Sequence, residues 1–298
     1  SDILQANGTY YAATNYNYFY QYDAVNGWVQ KGSGILPSAE VDKLTSDSQG
    51  NVWLCGPGYV AKYNGTSIGV YDQTNNLHLS NNLYIRDVFC DNYRNEVWAV
   101  SYNGLFKISN NTVSYCNDST PGFLQYYDAA EVVSEDAQHN IWFGMVYGAL
   151  VKYDGTSFSS ILLPNHVGNQ FITDISFVGN TMYISDNLNG VWVYENNTWD
   201  SLNIDNSAIS DNNVTSLITD ANGNLWMSHI DHGIDVYNKN GLTVSAITEA
   251  NTVPVNVYPN PSTGNFTMQL NSDADINVYT IGGRQVLSLR AAKGPSNI

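Results

Sequence analysis

Apolar residues along this chain fall in short alternating runs, bounded by Asn, Asp, Gly and Ser. "VTSLIT" (214–219), "NLWMS" (224–228) and "GIDVY" (233–237) are typical. A period of two fits half-buried β-strands, and the 3.6-residue spacing of an amphipathic helix is absent. The runs also recur in a fixed order. Six stretches align: "NGTYYAAT" (7–14), "GNVWLCGPG" (50–58), "NEVWAVSYNG" (95–104), "HNIWFGMVYG" (139–148), "NTMYISDNLNG" (180–190) and "GNLWMSHIDHG" (223–233). Their aromatic anchors are Tyr11, Trp53, Trp98, Trp142, Tyr183 and Trp226, spaced by 42, 45, 44, 41 and 43 residues.

Other features keep the same register. About ten residues after each anchor comes Tyr22, Tyr63, Ile108, Tyr153, Tyr194 or Tyr237, then a turn pair. The pairs are Asn26-Gly27, Asn64-Gly65, Asn110-Asn111, Asp154-Gly155, Asn196-Asn197 and Asn240-Gly241. A type I′ hairpin turn needs positive φ at both central residues, which Asn, Asp and Gly tolerate best. Type I′ turns are therefore expected at all six. An apolar strand precedes each of the last five anchors, and in four copies an Asp follows it: Asp47, Asp91, Asp136 and Asp220. Such an Asp can accept a hydrogen bond from the backbone two residues on.

Each unit thus reads as four short antiparallel strands, the inner one of the "VTSLIT" type and the second carrying the anchor. Four-stranded units of roughly 40–45 residues are the blades of a β-propeller. The fold expected is all-β: a propeller of six visible four-stranded blades over residues 1–250, with a small partial β-sandwich over 251–298. The first repeat starts at its inner strand and the sixth is expected to end with a complete outer strand. Six blades could close the ring, and further blades could equally precede them.

Composition narrows the partners. There are 27 acids against 11 bases, a net charge of −16, which repels duplex nucleic acid and anionic membrane surfaces. No apolar run reaches the roughly 18–20 residues that span a bilayer. Three cysteines, Cys55, Cys90 and Cys116, are too few and odd in number for a disulfide scaffold.

Two resemblances follow from particular motifs. "ILPS" (35–38), "LSNN" (79–82) and "VTSLITDANGNLWMS" (214–228) resemble the two-component regulator propeller repeat of Bacteroidetes sensor proteins. The copies are degenerate after the anchor aromatic. That resemblance implies the fold and says little about ligand, because propellers host many activities. Past residue 250 the period stops. Val257, Tyr258, Pro259, Asn260 and Pro261, then Gly283 and Arg284 in a strand-turn-strand segment, resemble the C-terminal sorting domain of the type IX secretion system. Here the sequence stops at "KGPSNI", short of that family's terminal strands. The resemblance implies export through the periplasm to the outer-membrane surface or medium, with the type IX machinery as partner.

Chemistry is sparse. There is no Gly-x-Ser-x-Gly elbow, no Gly-rich phosphate loop and no Cys-x-x-Cys. His229, Asp231 and His232 sit in the loop after the second strand of the sixth unit, where no other blade supplies a histidine. Two histidines three apart in a loop fall short of the three or four converging ligands zinc requires. No metal and no cofactor is expected. Asp87, Glu131, Glu135 and Asp174 lie on or beside inner strands, where they are expected to bond neighbouring backbone groups. The loops between second and third strands share one face with the inter-blade connections, and that face carries many tyrosines. Tyr16, Tyr59, Tyr102, Tyr147 and Asn187, with His229, Asp231 and His232, are the candidate ligand-binding residues. Aromatic faces with amides and carboxylates suit sugar rings. The reading preferred is a secreted or cell-surface binding module for a glycan or protein partner, without catalysis. The alternative is a secreted polysaccharide lyase or glycosidase built on the same scaffold.

Overall fold

The structure is a computed structural model describing residues 2–75, 83–124, 129–164, 170–242, 256–258, 267–279 and 285–297. The chain divides into two compact units, Ser1–Leu242 and Thr243–Ile298. The first unit is a row of antiparallel sheets, one per sequence repeat. The first sheet is β1 (Ile3–Ala6), β2 (Thr9–Ala13), β3 (Phe19–Asp23) and β4 (Gly27–Lys31); the second is β5 (Lys43–Ser46), β6 (Val52–Gly56), β7 (Tyr59–Tyr63) and β8 (Ile68–Tyr71). The third is β9 (Ile85–Asp91), β10 (Glu96–Ser101), β11 (Gly104–Ser109) and β12 (Thr112–Cys116); the fourth is β13 (Ala130–Glu135), β14 (Ile141–Met145), β15 (Ala149–Tyr153) and β16 (Phe158–Leu162). The fifth is β17 (Ile172–Val178), β18 (Thr181–Asp186), β19 (Val191–Glu195) and β20 (Thr198–Leu202); the sixth is β21 (Val214–Thr219), β22 (Leu225–His229) and β23 (Gly233–Tyr237). The outer strand expected for the sixth unit lies outside the described residues. First strands of successive sheets pack side by side, so the sheets fan around a common axis as six propeller blades.

The anchor aromatics all fall on the second strand of their sheet. The Asp of the preceding turn does more than shape the backbone. Asp136 accepts from the Gln138 and Asn140 N–H groups, from the Asn140 amide, and from the Trp142 indole N–H at 2.8 Å. Asp47 and Asp220 hold Trp53 and Trp226 the same way, at 3.0 and 3.1 Å. One carboxylate therefore ties the hairpin turn to the indole six residues on. In the third blade Asp91 binds Arg94 instead, at 2.9 Å, and the Trp98 indole N–H has no hydrogen-bond partner.

Two of the six turn pairs, Asn110-Asn111 and Asn196-Asn197, have positive φ at both residues and are type I′. At the other four the Gly alone has positive φ. There an Asx side chain accepts from the following N–H groups, as Asn64 does from Thr66 and Ser67, making a longer loop. The uniform type I′ expectation is thus corrected: an Asx that caps its own turn removes the need for two left-handed residues.

Each consecutive pair of blades shares one apolar cluster, five in all. Packing is tight at Gly144, where a Cβ would come within 2.5 Å of Val132 and 2.6 Å of Ile172 in the next blade. Among the described residues no such cluster joins the first sheet to the sixth. Their outer faces expose Ile3, Tyr10 and Trp28 on one side and Ile218, Trp226 and Ile234 on the other.

In the second unit β24 (Asn256–Tyr258), β25 (Thr267–Leu270) and β28 (Gly294–Asn297) form one sheet, and β26 (Ala274–Tyr279) and β27 (Gln285–Ala291) form a hairpin. Val257 and Tyr258 of the sorting motif lie on β24. Pro259, Asn260, Pro261, Gly283 and Arg284 lie outside the described residues. Leu270, Ile276 and Ala291 make a small core.

Candidate functional site

Four successive first strands carry a β-bulge at the same place. Pairing with the second strand skips one residue at Arg86, at Glu131, at Thr173 and at Thr215. A bulged residue is unpaired and re-aims its side chain. All four of these residues line one cavity of about 430 Å³ that also takes in Lys43, Asn187 and Ile230, so five blades contribute to it. A second cavity of about 430 Å³ shares Arg86, Glu131 and Phe171 with it, and adds Tyr102 and Tyr147. Together they form a bowl at the mouth of the central channel.

The bowl's floor is polar. The Arg86 guanidinium lies 2.9 Å from Glu131 and 5.4 Å from the Tyr102 ring centre. Burial and the Glu131 carboxylate together raise the pKa of the Tyr102 hydroxyl. The pair is lopsided: the Arg86 side chain is 40% exposed and that of Glu131 only 11%. Its effect is to hold two charged groups in fixed positions. The rim is aromatic: Tyr102, Tyr147 and Phe171 are 46%, 45% and 39% exposed. Phe171 is held from behind, because its N–H donates to Asn187 Oδ1 at 3.0 Å. Next to it Gln170 donates to Asp186 at 2.6 Å, and Asp186 also binds the Trp192 indole at 2.7 Å.

Below the bowl, three carboxylates clip blades together. Asp2 accepts from Ile3 N–H and from Leu44 N–H in the next blade, at 2.9 and 3.0 Å. Asp87 does the same with Val88 and Val133, and Asp174 with Ile175 and Leu217. The inner-strand acids Asp87 and Asp174 therefore bond neighbouring backbone groups, as expected from sequence. Burial pushes the Asp87 carboxyl up to about 7, against the pull of Lys43 and the Val133 N–H. Burial opposes charge on Lys43, but Asp87, Asp2 and Asp174 outweigh it and raise its pKa. Glu135 instead pairs with His139 at 2.7 Å.

The sequence-derived candidates separate. Tyr102, Tyr147 and Asn187 meet at the bowl. Tyr59, a ligand-binding candidate from sequence, is buried with its hydroxyl donating to the Glu40 carbonyl at 2.9 Å, and lines neither cavity. Tyr16 is 84% exposed and lines neither cavity. His229 is buried with Nε2 3.0 Å from Asp235, while exposed His232 faces Asp211 at 3.2 Å. Asp231 is exposed. The two histidines thus turn to different carboxylates, and among the described residues no group of three or more metal-ligating side chains converges. Sequence reasoning missed Arg86, Thr173, Thr215 and Phe171. The signal was available in part: Arg86, Glu131, Thr173 and Thr215 recur at spacings of 45, 42 and 42 residues.

Comparison with known proteins agrees with the architecture. Residues 256–297 match the model for the secretion system C-terminal sorting domain, and residues 208–231 match that for the two component regulator propeller. No curated protein sequence matches the chain. Among solved structures, PorZ of Porphyromonas gingivalis is described as an essential bacterial surface component of the type-IX secretion system. It aligns with TM-score 0.66 and 15% identity over 100% of this chain and 46% of its own. The extracellular domain of a protein named as a hybrid two component system from B. thetaiotaomicron aligns with TM-score 0.62 and 16% identity, over 96% of this chain and 40% of its own. A one component system's extracellular domain from the same organism gives 0.64 and 19%, over 91% and 37%. The chain spans less than half the length of these structures, and identities this low establish the fold alone. Propeller repeats followed by a sorting domain make this a secreted or cell-surface protein addressed to the type IX machinery. Among the described residues no helix is long and apolar enough to cross a membrane.

Proposed function

We propose that this chain is a surface-exposed binding module whose ligand, a glycan or a glycan-bearing protein, seats in the bowl at the channel mouth. The observation that carries the reading is the ring of bulged residues beneath three half-exposed aromatic rings. A rigid scaffold has been locally distorted in four blades to aim side chains at one place. Aromatic rings present apolar faces to sugar C–H groups, while the Arg86–Glu131 pair, Asn187 and the two threonines offer donors and acceptors to hydroxyls. A concave site with a few convergent polar groups is the usual form of a small-ligand site.

The enzymatic reading has less support. Glycoside cleavage generally uses two carboxyl groups flanking the bond. Glu131 lines the bowl, but it is engaged by Arg86, and Asp87 and Asp174 are committed to backbone N–H groups. A glycan array with the intact protein, run beside a reducing-end and unsaturated-product assay on the same polysaccharides, separates the two. Binding that Tyr102→Ala and Tyr147→Ala abolish, without product, supports the module. Product formation, or binding indifferent to both substitutions, refutes it.

A further inference from the structure

A second kind of cleft lies between blades, at the end of the sheets where first and second strands are joined. Between the third and fourth blades it is filled by the chain itself. Arg94 donates to Asp91 at 2.9 Å, to the His139 carbonyl at 2.6 Å and to the Asp154 carbonyl at 3.2 Å, the last two in the next blade. Its guanidinium also lies 5.8 Å from the Tyr153 ring centre. The fit is close: a Cβ on Gly155 would meet Arg94 Nε at 2.7 Å.

The equivalent cleft between the second and third blades is open, with a volume of about 190 Å³. The repeat register explains why. Trp98 follows Asp91 by seven residues where Trp53 follows Asp47 by six, so the turn of the third blade is one residue longer. Counted back from the anchor Trp, Arg94 aligns with Gln49, a shorter neutral side chain that lines the cleft without filling it. Asn110 and Asn111 take the places of Asp154 and Gly155. Between the fourth and fifth blades the corresponding residue, four before Trp142, is Gln138, which lines a cleft of about 280 Å³. His139 pairs with Glu135 and stacks on Tyr93 of the third blade at 4.2 Å.

The first open cleft is the more acidic. Asp47, Asp91 and Glu96 line it, with Lys62 held 3.5 Å from Asp47 and Arg94 2.9 Å from Asp91. Lys107 engages Glu96 Oε1 at 3.2 Å, and Glu96 Oε2 has no hydrogen-bond partner.

We propose that the cleft between the second and third blades is a guanidinium-binding site, with Glu96 and the Asn110-Asn111 turn supplying acceptors in the way Asp91, His139 and Asp154 do for Arg94. The group it takes is an arginine side chain of a partner protein or a free guanidinium compound. A planar donor set matched to carboxylate and carbonyl oxygens is what distinguishes guanidinium from ammonium here. The site is independent of the bowl and of any glycan bound there.

The test is an NMR titration of the ¹⁵N-labelled protein, following Trp53 indole N–H and the Asn110 and Asn111 amides. N-acetyl-L-arginine amide should shift them with a Kd on the order of 1–10 mM, as expected for a small polar fragment. N-acetyl-L-citrulline amide, of the same shape without charge, should bind at least about fivefold more weakly. Glu96→Gln should weaken arginine binding by a similar factor. Gln49→Trp, an exposed turn substitution that crowds the cleft, should abolish it in a folded protein even if the first variant is unstable. Tighter binding of free L-arginine than of the capped form identifies a small-molecule ligand; equal or weaker binding identifies a protein-borne side chain. No shift at these three probes by ~50 mM, equal binding of the citrulline analogue, or full binding by folded Gln49→Trp overturns the proposal.

Discussion

Replacing Asp136 by alanine should cost far more than a turn residue normally does. Its carboxylate accepts from Gln138 N–H, Asn140 N–H, the Asn140 amide and the Trp142 indole, all between 2.8 and 3.0 Å. Trp142 is 9% exposed, in the core shared by the fourth and fifth blades, and its indole N–H would be left without its protein partner. An orphaned donor of that kind costs about 1–3 kcal/mol. The turn N–H groups recover water, and their loss adds about 1 kcal/mol. The total expected for Asp136→Ala is therefore about 2–4 kcal/mol, read from the urea unfolding midpoint of the intact protein. Trp142→Phe removes the same donor along with ring volume. The double variant should thus lose less than the sum of the singles, by about 1 kcal/mol or more. The pH response offers an independent check. Burial opposes the Asp136 charge, but the indole, the amide and the N–H groups outweigh it and hold its pKa below the ordinary value. A carboxyl depressed in the folded state stabilises above the unfolded pKa, and that contribution disappears as the pH falls toward the folded pKa. Asp136→Ala should accordingly flatten the acid limb of the stability curve below about pH 4. A loss under about 0.5 kcal/mol, or strictly additive double-variant losses, would refute the clamp as a source of stability.

The buried clip should behave in the opposite sense. With the Asp87 carboxyl raised to about 7 in the folded state, stability should decline as the pH climbs from about 4 through 7. Asp87→Asn should make Tm less sensitive to pH across that window, and an unchanged slope would show that another group titrates. Gly144→Ala should destabilise by about 2–3 kcal/mol in thermal melts, because the added methyl meets Val132 and Ile172 within van der Waals distance. Asn111→Val should cost about 1–2 kcal/mol where Asn111→Gly is neutral, since φ at this position is +61°. Arg86→Ala should lower stability by about 1–3 kcal/mol, because the largely buried Glu131 carboxylate loses its partner, and should weaken binding of whatever glycan the array identifies.

How much of this was legible beforehand depends on how far apart the interacting residues lie. The blade period, the anchor aromatics and the Asp turns are local. Each depends on residues within about one hairpin of one another, whose types are constrained by φ, by strand alternation and by a single hydrogen-bonding side chain. The sorting motif was readable for the same reason, as a contiguous run. Tyr59 and Tyr102 show where such reading stops. Both follow a second strand by a few residues, yet Tyr59 opens the third strand with its ring buried and its hydroxyl on the Glu40 carbonyl, while Tyr102 sits in the turn itself and stands at the rim. Which residue is paired and which is left in the turn is decided by strand register, not by residue type.

The amino-acid sequence by itself determined that this is a repeating β-protein with a secretion tail, because strand period, turn chemistry and the tail motif are short-range properties. The tertiary structure alone decided which residues converge. The bowl comes from one skipped pairing in each of four strands, and the guanidinium cleft from a turn one residue shorter than that of the next blade and lacking its arginine. A bulge is a mismatch between two strands, and a cleft is a gap between two sheets. Both are relations across space, so neither has a signature in any single stretch of chain.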